Sequence, residues 1–334
     1  MISVVIPTLN EGSNISELLS QLANQSGVKL EVIIVDGGSN DETKKRLIEG
    51  DVKIIESETG RGAQMNKGAR SALGDYLLFL HADSKLTNDH QIAHAMTQLA
   101  SVSGKTAGHF KLSFNTKDKK LKKRLRYFEE KSGLNRPGTW NGDQGLLIST
   151  TTFWETGGFW EKLPFLEDQD FAKRFQNIGR FITCDSLLIT SARRFELEGF
   201  AARITVNAII MAMFQLHLNE YFAEATEVYT PNQASAPLDP LPFLELAKRL
   251  IFKGGITIIF RRLYQLGQYA TKNTWQLALA RGIKKRAIDY HLKVYDQRLN
   301  GLIDHPLGYL VLMTATVVWI YITGWRLAFS KYEN

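Results

Sequence analysis

The stretch LLFLHADS, residues 77–84, sets four apolar residues directly before His81, Ala82 and Asp83. An apolar run that stops at polar side chains predicts a buried strand that ends at the edge of a sheet. Open α/β folds bind their ligands at the carboxyl ends of such strands. Histidine and aspartate are also residue types that ligate metals. The stretch therefore predicts an α/β fold with a functional site at this sheet edge.

The neighbouring residues alternate between strand-like and helical patterns. Residues 1–115 contain ISVVIP followed by ISELLSQLAN, LEVIIVDGG by ETKKRLIEG, VKIIES by AQMNKGARSAL, and finally DYLLFLHAD. Such alternation predicts βαβ units and a mainly parallel sheet flanked by helices. Residues 140–195 return to strand-like runs (DQGLLIS, RFITCD, LLIT) around a helix near residues 166–178.

The composition is that of a globular protein. The 334 residues are 44% hydrophobic and 22% charged, which predicts a substantial core and excludes a disordered scaffold. Cys184 is the only cysteine, so a disulfide within the chain is excluded. The first residues lack the pattern of a signal peptide, and we therefore expect the catalytic part at the cytoplasmic face of the inner membrane.

The positive charge is concentrated near the end of the chain. Of a net charge of +7, residues 1–240 carry 27 Lys and Arg against 29 Asp and Glu, and residues 241–334 carry 14 against 5. A basic tail that ends in an apolar run favours anionic lipid headgroups over nucleic acid. We therefore predict a membrane surface, and no nucleic acid, as a partner.

A proline-bearing segment, TPNQASAPLDPLP, separates this tail from the front of the chain. We predict a catalytic domain over residues 1–230, a linker over 231–243 and a basic helical tail over 244–334. Within the tail, residues 307–325 carry no charge. This run is long enough to cross most of a hydrocarbon core about 30 Å thick. It predicts either a single membrane-spanning helix or a helix that lies in the membrane interface.

Polar residues follow the first two predicted strands. Pro7, Thr8, Asn10 and Glu11 come at the end of the first strand, and Asp36 comes before two glycines at the end of the second. A base and ribose fit between two such strand ends, with Asp36 accepting a hydrogen bond. This pattern predicts one side of a nucleotide pocket.

A glycine-rich segment predicts the phosphate side of the same pocket. GRGAQMNKGA, residues 60–69, contains Arg61 and Lys67, whose charges suit phosphate oxygens, with Gln64 between them. It matches neither the GxGxxG fingerprint nor the GxxxxGK[ST] loop, so dinucleotide and P-loop sites are disfavoured.

Taken in order, PTLNE, VDGGSNDET, GRGAQMNKGA, LLFLHAD, GDQG with GGF, and LEDQDF resemble the motifs of family 2 glycosyltransferases of GT-A fold over residues 1–195. The resemblance implies inverting transfer of a sugar from a nucleotide-diphospho-sugar to an acceptor hydroxyl or phosphate. It implies that Asp36 holds the nucleobase and that Asp168 is the general base. It also implies a divalent metal, Mn²⁺ or Mg²⁺, at the segment His81–Ala82–Asp83.

The metal motif of that family is DxD, whereas this chain has a histidine in the first position. A neutral imidazole ligates Mn²⁺ or positions a phosphate, and Mg²⁺ prefers oxygen. We therefore expect Asp83 to be a metal ligand and His81 to be either a second ligand or a diphosphate contact. Ala82 lies between them in the nucleotide-binding segment.

HAD, RGAQMN, GDQG and SARRF together are most similar to a bacterial subgroup associated with arsenosugar biosynthesis. Arg193 and Arg194 of SARRF are either diphosphate contacts or surface charge. Trp140, Asp143 and Glu167 are expected on the acceptor side. The basic tail suits a lipid-linked or other anionic acceptor.

Two other classes of function stay open from the sequence. One is a membrane-docked protein that binds a nucleotide sugar without turnover, because His81 replaces an acid. The other is a nucleotidyltransferase of similar sheet architecture, although such an enzyme usually has a longer basic loop after the first strand than PTLNEGSN.

Overall fold

The computed structural model describes residues 1–12, 14–43, 52–228 and 237–330. The chain divides into two compact units, Met1–Ala192 and Arg193–Asn334. The first unit contains the mixed sheet, and the described part of the second is helical.

The described residues of the first unit form one seven-stranded sheet. Its strands are β1 (Ile2–Thr8), β2 (Leu30–Asp36), β3 (Lys53–Glu56), β4 (Tyr76–Phe79), β5 (Thr106–Asn115), β6 (Leu146–Ser149) and β7 (Arg180–Ser191). The order across the sheet is β3-β2-β1-β4-β6-β5-β7. The strand pairs are parallel except where β6 pairs with β4 and β5. The predicted mixed, mainly parallel sheet is confirmed.

Helices flank this sheet. They are α1 (Ile15–Ala23), α2 (Arg61–Arg70), α3 (Gln91–Ala100), α4 (Lys119–Ser132), α5 (Thr150–Glu155) and α6 (Glu167–Phe175). Helix α2 packs closely on β1, because a Cβ on Gly68 would lie 2.4 Å from Cγ1 of Val5. The helix predicted in ETKKRLIEG falls mostly on residues 44–51, which lie outside the described residues.

Two strand predictions differ from the structure. Strand β5 was not predicted, because Gly108, His109 and Lys111 interrupt its apolar pattern. RFITCD and LLIT form the single strand β7, which pairs with β5 across a register shift at Phe110 and Lys111.

The strand register brings the polar strand ends to one edge. Thr8 at the end of β1 pairs with Asp36 at the end of β2. On the other side of β1, the amide of Leu80 donates to the carbonyl of Val5 at 3.1 Å, and His81 follows directly. The order of the strands reverses between β1 and β4, and open α/β sheets bind ligands at such a switch point.

The second unit contains the helices of the predicted tail and those directly before it. They are α7 (Arg193–Glu198), α8 (Phe200–Gln215), α9 (Asn219–Val228), α10 (Leu241–Ile251), α11 (Ile256–Lys272), α12 (Trp275–Lys285), α13 (Ile288–Val294), α14 (Asn300–Ile303) and α15 (Pro306–Ser330). A π-helical turn, Tyr295–Leu299, joins α13 to α14. The predicted helical C-terminal extension is confirmed, and α15 contains the whole run 307–325.

The boundary between the two compact units lies after Ala192, whereas the sequence predicted that the first domain extends to residue 230. The reason is packing across the proline-bearing segment. Nζ of Lys253 lies 2.7 Å from Oε1 of Glu220, and Arg249 pairs with Glu224. Residues 231–236 of the predicted linker 231–243 lie outside the described residues, and α10 begins at Leu241.

Helix α15 meets α11 at very short range. A Cβ on Gly267 would lie 2.2 Å from the carbonyl oxygen of Tyr309. The rings of Tyr264 and Tyr309 are 5.8 Å apart. Residues 306–329 form a helix that is long and apolar enough to cross a membrane.

Candidate functional site

The loops after β1 and β2 are bonded to each other. The amide of Asn10 donates to Oγ of Ser39 at 2.9 Å, and the side-chain oxygen of Asn10 accepts from the amide of Asn40 at 3.0 Å. The amide of Glu11 donates to the Thr43 hydroxyl at 2.9 Å. These hydrogen bonds fix the positions of the two segments relative to each other, and both segments are predicted to bind the nucleotide.

Asp36 organises the turn that follows β2. Its buried carboxylate accepts from the amides of Ser39 at 3.0 Å and Gly38 at 3.3 Å, and from the Ser39 hydroxyl. Thr8, also buried, approaches the same carboxylate at 3.5 Å. The described contacts of Asp36 therefore shape the loop, and its bond to a nucleobase stays a prediction, as does the role of Pro7 on the neighbouring strand.

Most of the glycine-rich segment GRGAQMNKGA is helical, as the pattern AQMNKGARSAL predicts, since α2 begins at Arg61. Only Gly60, with φ of 152°, has a backbone conformation that favours glycine. Gln64 is buried and donates to the carbonyls of Thr8 at 2.9 Å and Val35 at 2.8 Å. Lys67 donates to the carbonyl of Glu56 at 2.6 Å. Arg61, in the first turn, is the member of this segment that reaches the acidic site.

His81, Ala82 and Asp83 form a turn directly after β4, closed by the amide of Ser84 donating to the carbonyl of His81 at 3.0 Å. Ala82 is buried, whereas the side chains on either side of it are partly accessible. Nδ1 of His81 lies 2.9 Å from Oδ1 of Asp143. This contact joins the turn after β4 to the segment before β6.

Asp168 lies in the first turn of α6 and is held at both oxygens. Oδ2 accepts from the amide of Gly142 at 2.7 Å, and Oδ1 accepts from the amide of Gln169 at 2.7 Å. A carboxylate at this end of a helix is also stabilised by the helix dipole. A Cβ built on Gly142 would lie 3.3 Å from Nε2 of His81 and 3.4 Å from Oδ2 of Asp168. The imidazole and the carboxylate therefore flank the same glycine.

Arg61 interacts with the acidic residues of the site. Its Nη1 lies 3.7 Å from Oε1 of Glu167. Burial alone would lower the pKa of Arg61, but four carboxylates raise the pKa above its ordinary value: those of Glu167, Asp143, Asp168 and Asp83. One guanidinium thus interacts electrostatically with four acids of the site.

Glu167 and Trp140, both predicted on the acceptor side, are buried. Burial raises the pKa of Glu167, and the neighbouring Asp168 raises it further against the opposing effect of Arg61. The Trp140 indole donates to the carbonyl of Gly145 at 3.0 Å and stacks on Phe181. Both residues line a small cavity whose other walls include Met65, Phe79, His81, Gly142, Leu146, Phe159 and Asp168. Their contact with an acceptor stays a prediction.

Sequence reasoning missed the residues that fix the turn around Gly142. Gln144 is buried, and its side-chain oxygen accepts from the amide of Asn141 at 2.9 Å. Its side-chain nitrogen lies 2.9 Å from Nδ1 of His109 and donates to the carbonyl of Ser132 at 3.0 Å. The spacing from Asn141 to Gln144 is that of a capping box, and this pattern could have predicted the role of Gln144. No sequence pattern indicated the role of its partner His109, which lies in the unpredicted strand β5.

Arg193 and Arg194 begin α7 in the second unit, and both are exposed. Their contact with a diphosphate stays a prediction. Within the described ranges, no group of three or more His, Cys, Asp or Glu residues is arranged to hold a metal ion.

Comparison with known proteins identifies the fold unit that carries this site. Residues 3–148 match the family "Glycosyl transferase family 2". This segment is therefore similar to family 2 glycosyltransferase domains. The match includes Asp36, His81, Asp83 and Gly142, and Asp168 follows it in the chain.

Proteins named as glycosyltransferases are similar to part of the chain. The chain is 39% identical over 95 residues to a PGL/p-HBAD biosynthesis glycosyltransferase of Mycobacterium bovis, an alignment that covers 26% of this chain and 36% of the relative. It is 32% identical over 99 residues to 4,4'-diaponeurosporenoate glycosyltransferase of Staphylococcus haemolyticus, covering 27% of this chain and 26% of the relative. The matched segments thus span about a third of these relatives or less.

Solved structures of low sequence identity are also similar to the chain. A mannosyltransferase from Pyrobaculum calidifontis in complex with GDP-Man and Mn²⁺ has a TM-score of 0.49 at 16% identity, covering 95% of this chain and 87% of that one. S. aureus TarS 1-349 in complex with UDP-GlcNAc has a TM-score of 0.46 at 16% identity, covering 89% and 91%.

Proposed function

We propose that the first unit transfers a sugar from a nucleotide-diphospho-sugar to an acceptor hydroxyl or phosphate, with inversion at the anomeric carbon and Asp168 as the general base. The observation that carries the proposal is the Asp168 carboxylate, held by the amide of Gly142 beside Nε2 of His81. A positioned carboxylate at the mouth of a cavity is suited to accept a proton from an incoming hydroxyl.

When the acceptor is a hydroxyl, its O–H gives the proton to a carboxylate oxygen of Asp168, whereas an ionised phosphate acceptor attacks without this proton transfer. The acceptor oxygen then forms a bond to the anomeric carbon from the side opposite the diphosphate. The bond between that carbon and the β-phosphate oxygen breaks, and its electron pair leaves with the nucleoside diphosphate. Atoms and charges balance without an oxidant or a reductant.

A divalent cation, Mn²⁺ or Mg²⁺, fits the donor chemistry of this edge. Four carboxylates share one guanidinium, so a cation would offset negative charge at this edge. Magnesium is commonly bound through one or two carboxylates together with substrate phosphates, and Asp83 supplies such a carboxylate. When bound, the cation would neutralise charge on the leaving diphosphate.

The contact between His81 and Asp143 gives the imidazole a defined role beside Asp83. A carboxylate that accepts from Nδ1–H fixes the tautomer and leaves the lone pair on Nε2. Nε2 would then accept from the acceptor hydroxyl or ligate the cation, while Asp143 holds the ring in place. In this proposal Asp143 is a positioning residue.

The proposal also includes attachment to the membrane and an anionic, lipid-linked acceptor. It is supported by the apolar helix α15 and by the excess of 14 basic over 5 acidic residues in residues 241–334. The attachment lies in the described helices of the second unit, and the transfer chemistry lies in the first. The subgroup associated with arsenosugar biosynthesis stays a prediction.

The test is a nucleotide-release assay of the full chain with UDP-sugars and GDP-sugars, Mn²⁺, and a polyprenyl phosphate acceptor. We expect nucleoside diphosphate to be released from one class of donor, with the product inverted at the anomeric carbon. Donor binding without release would favour the binding protein instead. Release of pyrophosphate from a nucleoside triphosphate and a sugar phosphate would favour a nucleotidyltransferase.

A further inference from the structure

One face of α15 is exposed and almost entirely apolar. Eight exposed apolar side chains on this face form what we call the apolar stripe: Leu307, Leu310, Val311, Val318, Trp319, Ile322, Trp325 and Phe329. Only 6% of an apolar 18-residue stretch of this helix is buried within the protein. A helix of 25 residues is about 37 Å long, so the stripe exceeds the isolated apolar side chains of an ordinary surface.

The opposite face of α15 packs on two other helices. Toward its start, α15 meets α11 at the close approach of Gly267 to Tyr309. Toward its end it meets α10, where Nζ of Lys248 lies 5.6 Å from the centre of the Tyr321 ring. Leu244 of α10 lies beside Gly324. Both halves of α15 are therefore bound to helices of the same unit.

These two partner helices carry charges that are incompatible with a hydrocarbon core. On α10, Lys248 pairs with Glu245 at 3.0 Å, and Arg249 follows. On α11, Arg261 and Lys272 are exposed. If α15 crossed a bilayer with its packing intact, α10 and α11 would enter the membrane with these side chains. Charged side chains facing lipid are strongly disfavoured there.

We infer that α15 lies in the plane of an anionic bilayer, with the apolar stripe in the boundary between headgroups and acyl chains, and does not cross it. This inference rests on the membrane attachment within the proposed function and is independent of the transfer chemistry. An amphipathic helix in this position buries its apolar face and keeps its polar neighbours in water.

Charge complementarity identifies the bilayer as the occupant of this surface. Residues 241–334 carry 14 basic and 5 acidic residues, which favours anionic headgroups. Arg326 follows Trp325 within α15, and tryptophan is enriched at membrane interfaces. The start of α11 adds exposed apolar side chains to the same unit: Ile256, Ile258 and Phe260.

The first arm of the test measures attachment by flotation of the full chain with vesicles. We expect binding to equimolar phosphatidylglycerol and phosphatidylcholine, and weaker binding to phosphatidylcholine alone. The double variant Val311→Asp/Val318→Asp should reduce the bound fraction about tenfold or more, because it puts two charges in the apolar stripe. Leu73→Asp is the matched control, since Leu73 is an exposed leucine of the first unit.

The second arm distinguishes a helix in the plane from a helix that spans. Cys184 is replaced by serine, and single cysteines are introduced as His305→Cys and Ala328→Cys, one at each end of α15. Inverted membrane vesicles are then treated with a membrane-impermeant maleimide. We expect both cysteines to react before detergent is added.

Each other outcome overturns a defined part of the inference. A cysteine that reacts only after detergent means that α15 spans, although the membrane attachment would stand. Absence of vesicle binding by the wild type overturns the attachment itself. If the wild type also sediments as a dimer that Val311→Asp/Val318→Asp converts to a folded monomer, a second copy of the chain covers the stripe instead. None of these outcomes bears on nucleotide release by the first unit, which is tested separately.

Discussion

The backbone amide of Gly142 donates a hydrogen bond of 2.7 Å to the carboxylate of Asp168. This bond joins the turn before β6 to the first turn of α6, through two residues that are 26 positions apart in the chain. The neighbouring residue, Asp143, is in contact with His81 after β4. A single turn thus sets the distance between the proposed base and the proposed diphosphate edge.

The pair of His81 and Asp143 predicts how the protein responds when an acid is restored in the DxD position. The variant His81→Asp should place a second carboxylate beside Asp143, and like charges at this distance repel. We expect the concentration of Mn²⁺ that gives half-maximal nucleotide release to fall about tenfold, since a bound cation relieves this repulsion. The double variant His81→Asp/Asp143→Asn should raise it again. An unchanged requirement for Mn²⁺ in the single variant would argue against contact between these two side chains.

Asp83 is predicted to hold the metal and the diphosphate together. Asp83→Asn should weaken Mn²⁺-dependent donor binding at least about tenfold, because ligand-shell substitutions usually cost this much metal affinity. The measurement is the shift in melting temperature with UDP or GDP, in the presence and absence of Mn²⁺. Asp89→Asn, at an exposed aspartate of the same segment, is the control. Equal shifts for Asp83→Asn and the wild type would exclude Asp83 as a ligand.

His109 predicts a pH dependence of folding. Burial lowers the pKa of this histidine from 6.5 to about 4. Because the unfolded chain takes up the proton first, the stabilisation is complete above pH 6.5 and is lost as the pH falls toward 4. The loss amounts to about 3 kcal/mol of the free energy of unfolding.

Denaturant unfolding of the wild type and His109→Gln between pH 7 and 4 measures this effect. The variant should lose most of the pH dependence in this range, whatever its stability at pH 7. His90→Gln, at an exposed histidine, should retain the wild-type slope. A His109→Gln curve parallel to that of the wild type would mean that His109 does not carry the dependence.

Gly267 is predicted to be required for the packing of α11 on α15. A Cβ at this position would lie 2.2 Å from the backbone oxygen of Tyr309, so Gly267→Ala should force the helices apart. We expect a destabilisation of about 1–3 kcal/mol, typical of overpacking. Gly301→Ala, where nothing lies within 4 Å of the new Cβ, should be neutral or slightly stabilising. Thermal unfolding of both variants compares the two positions directly, and equal melting temperatures would contradict the close packing.

Much of the sheet could be predicted from the sequence, because β1, β2 and β4 are mainly apolar and are followed or ended by polar residues. The mixed order around β6 could not, since β5 contains His109 and Lys111 and lacks a simple pattern. His109 is buried there because the side chain of Gln144 and the strand β7 surround it. No local sequence pattern indicates such a tertiary environment.

The site was predicted in part for a similar reason. His81, Asp143 and Asp168 were each recognisable from short motifs, and the structure brings all three around Gly142. The contribution of Gly142 itself is a backbone N–H, which any residue except proline supplies, so its side-chain identity carried no signal. Lys67 was predicted near phosphate from a glycine-rich segment, but helical geometry directs it to the carbonyl of Glu56.

The most direct test of the proposed transfer chemistry compares Asp168→Asn with Asp170→Asn, two positions apart on α6. Asp168→Asn should lower kcat for nucleotide release by about 10²–10⁴ with a much smaller effect on donor binding, because it removes the proton acceptor and keeps one of the two oxygens that accept backbone amides. Asp170→Asn breaks the ion pair of Asp170 with Arg174, at 2.6 Å, and should lower the melting temperature while retaining kcat. Release by Asp168→Asn at the wild-type rate would contradict the assignment of Asp168 as the base.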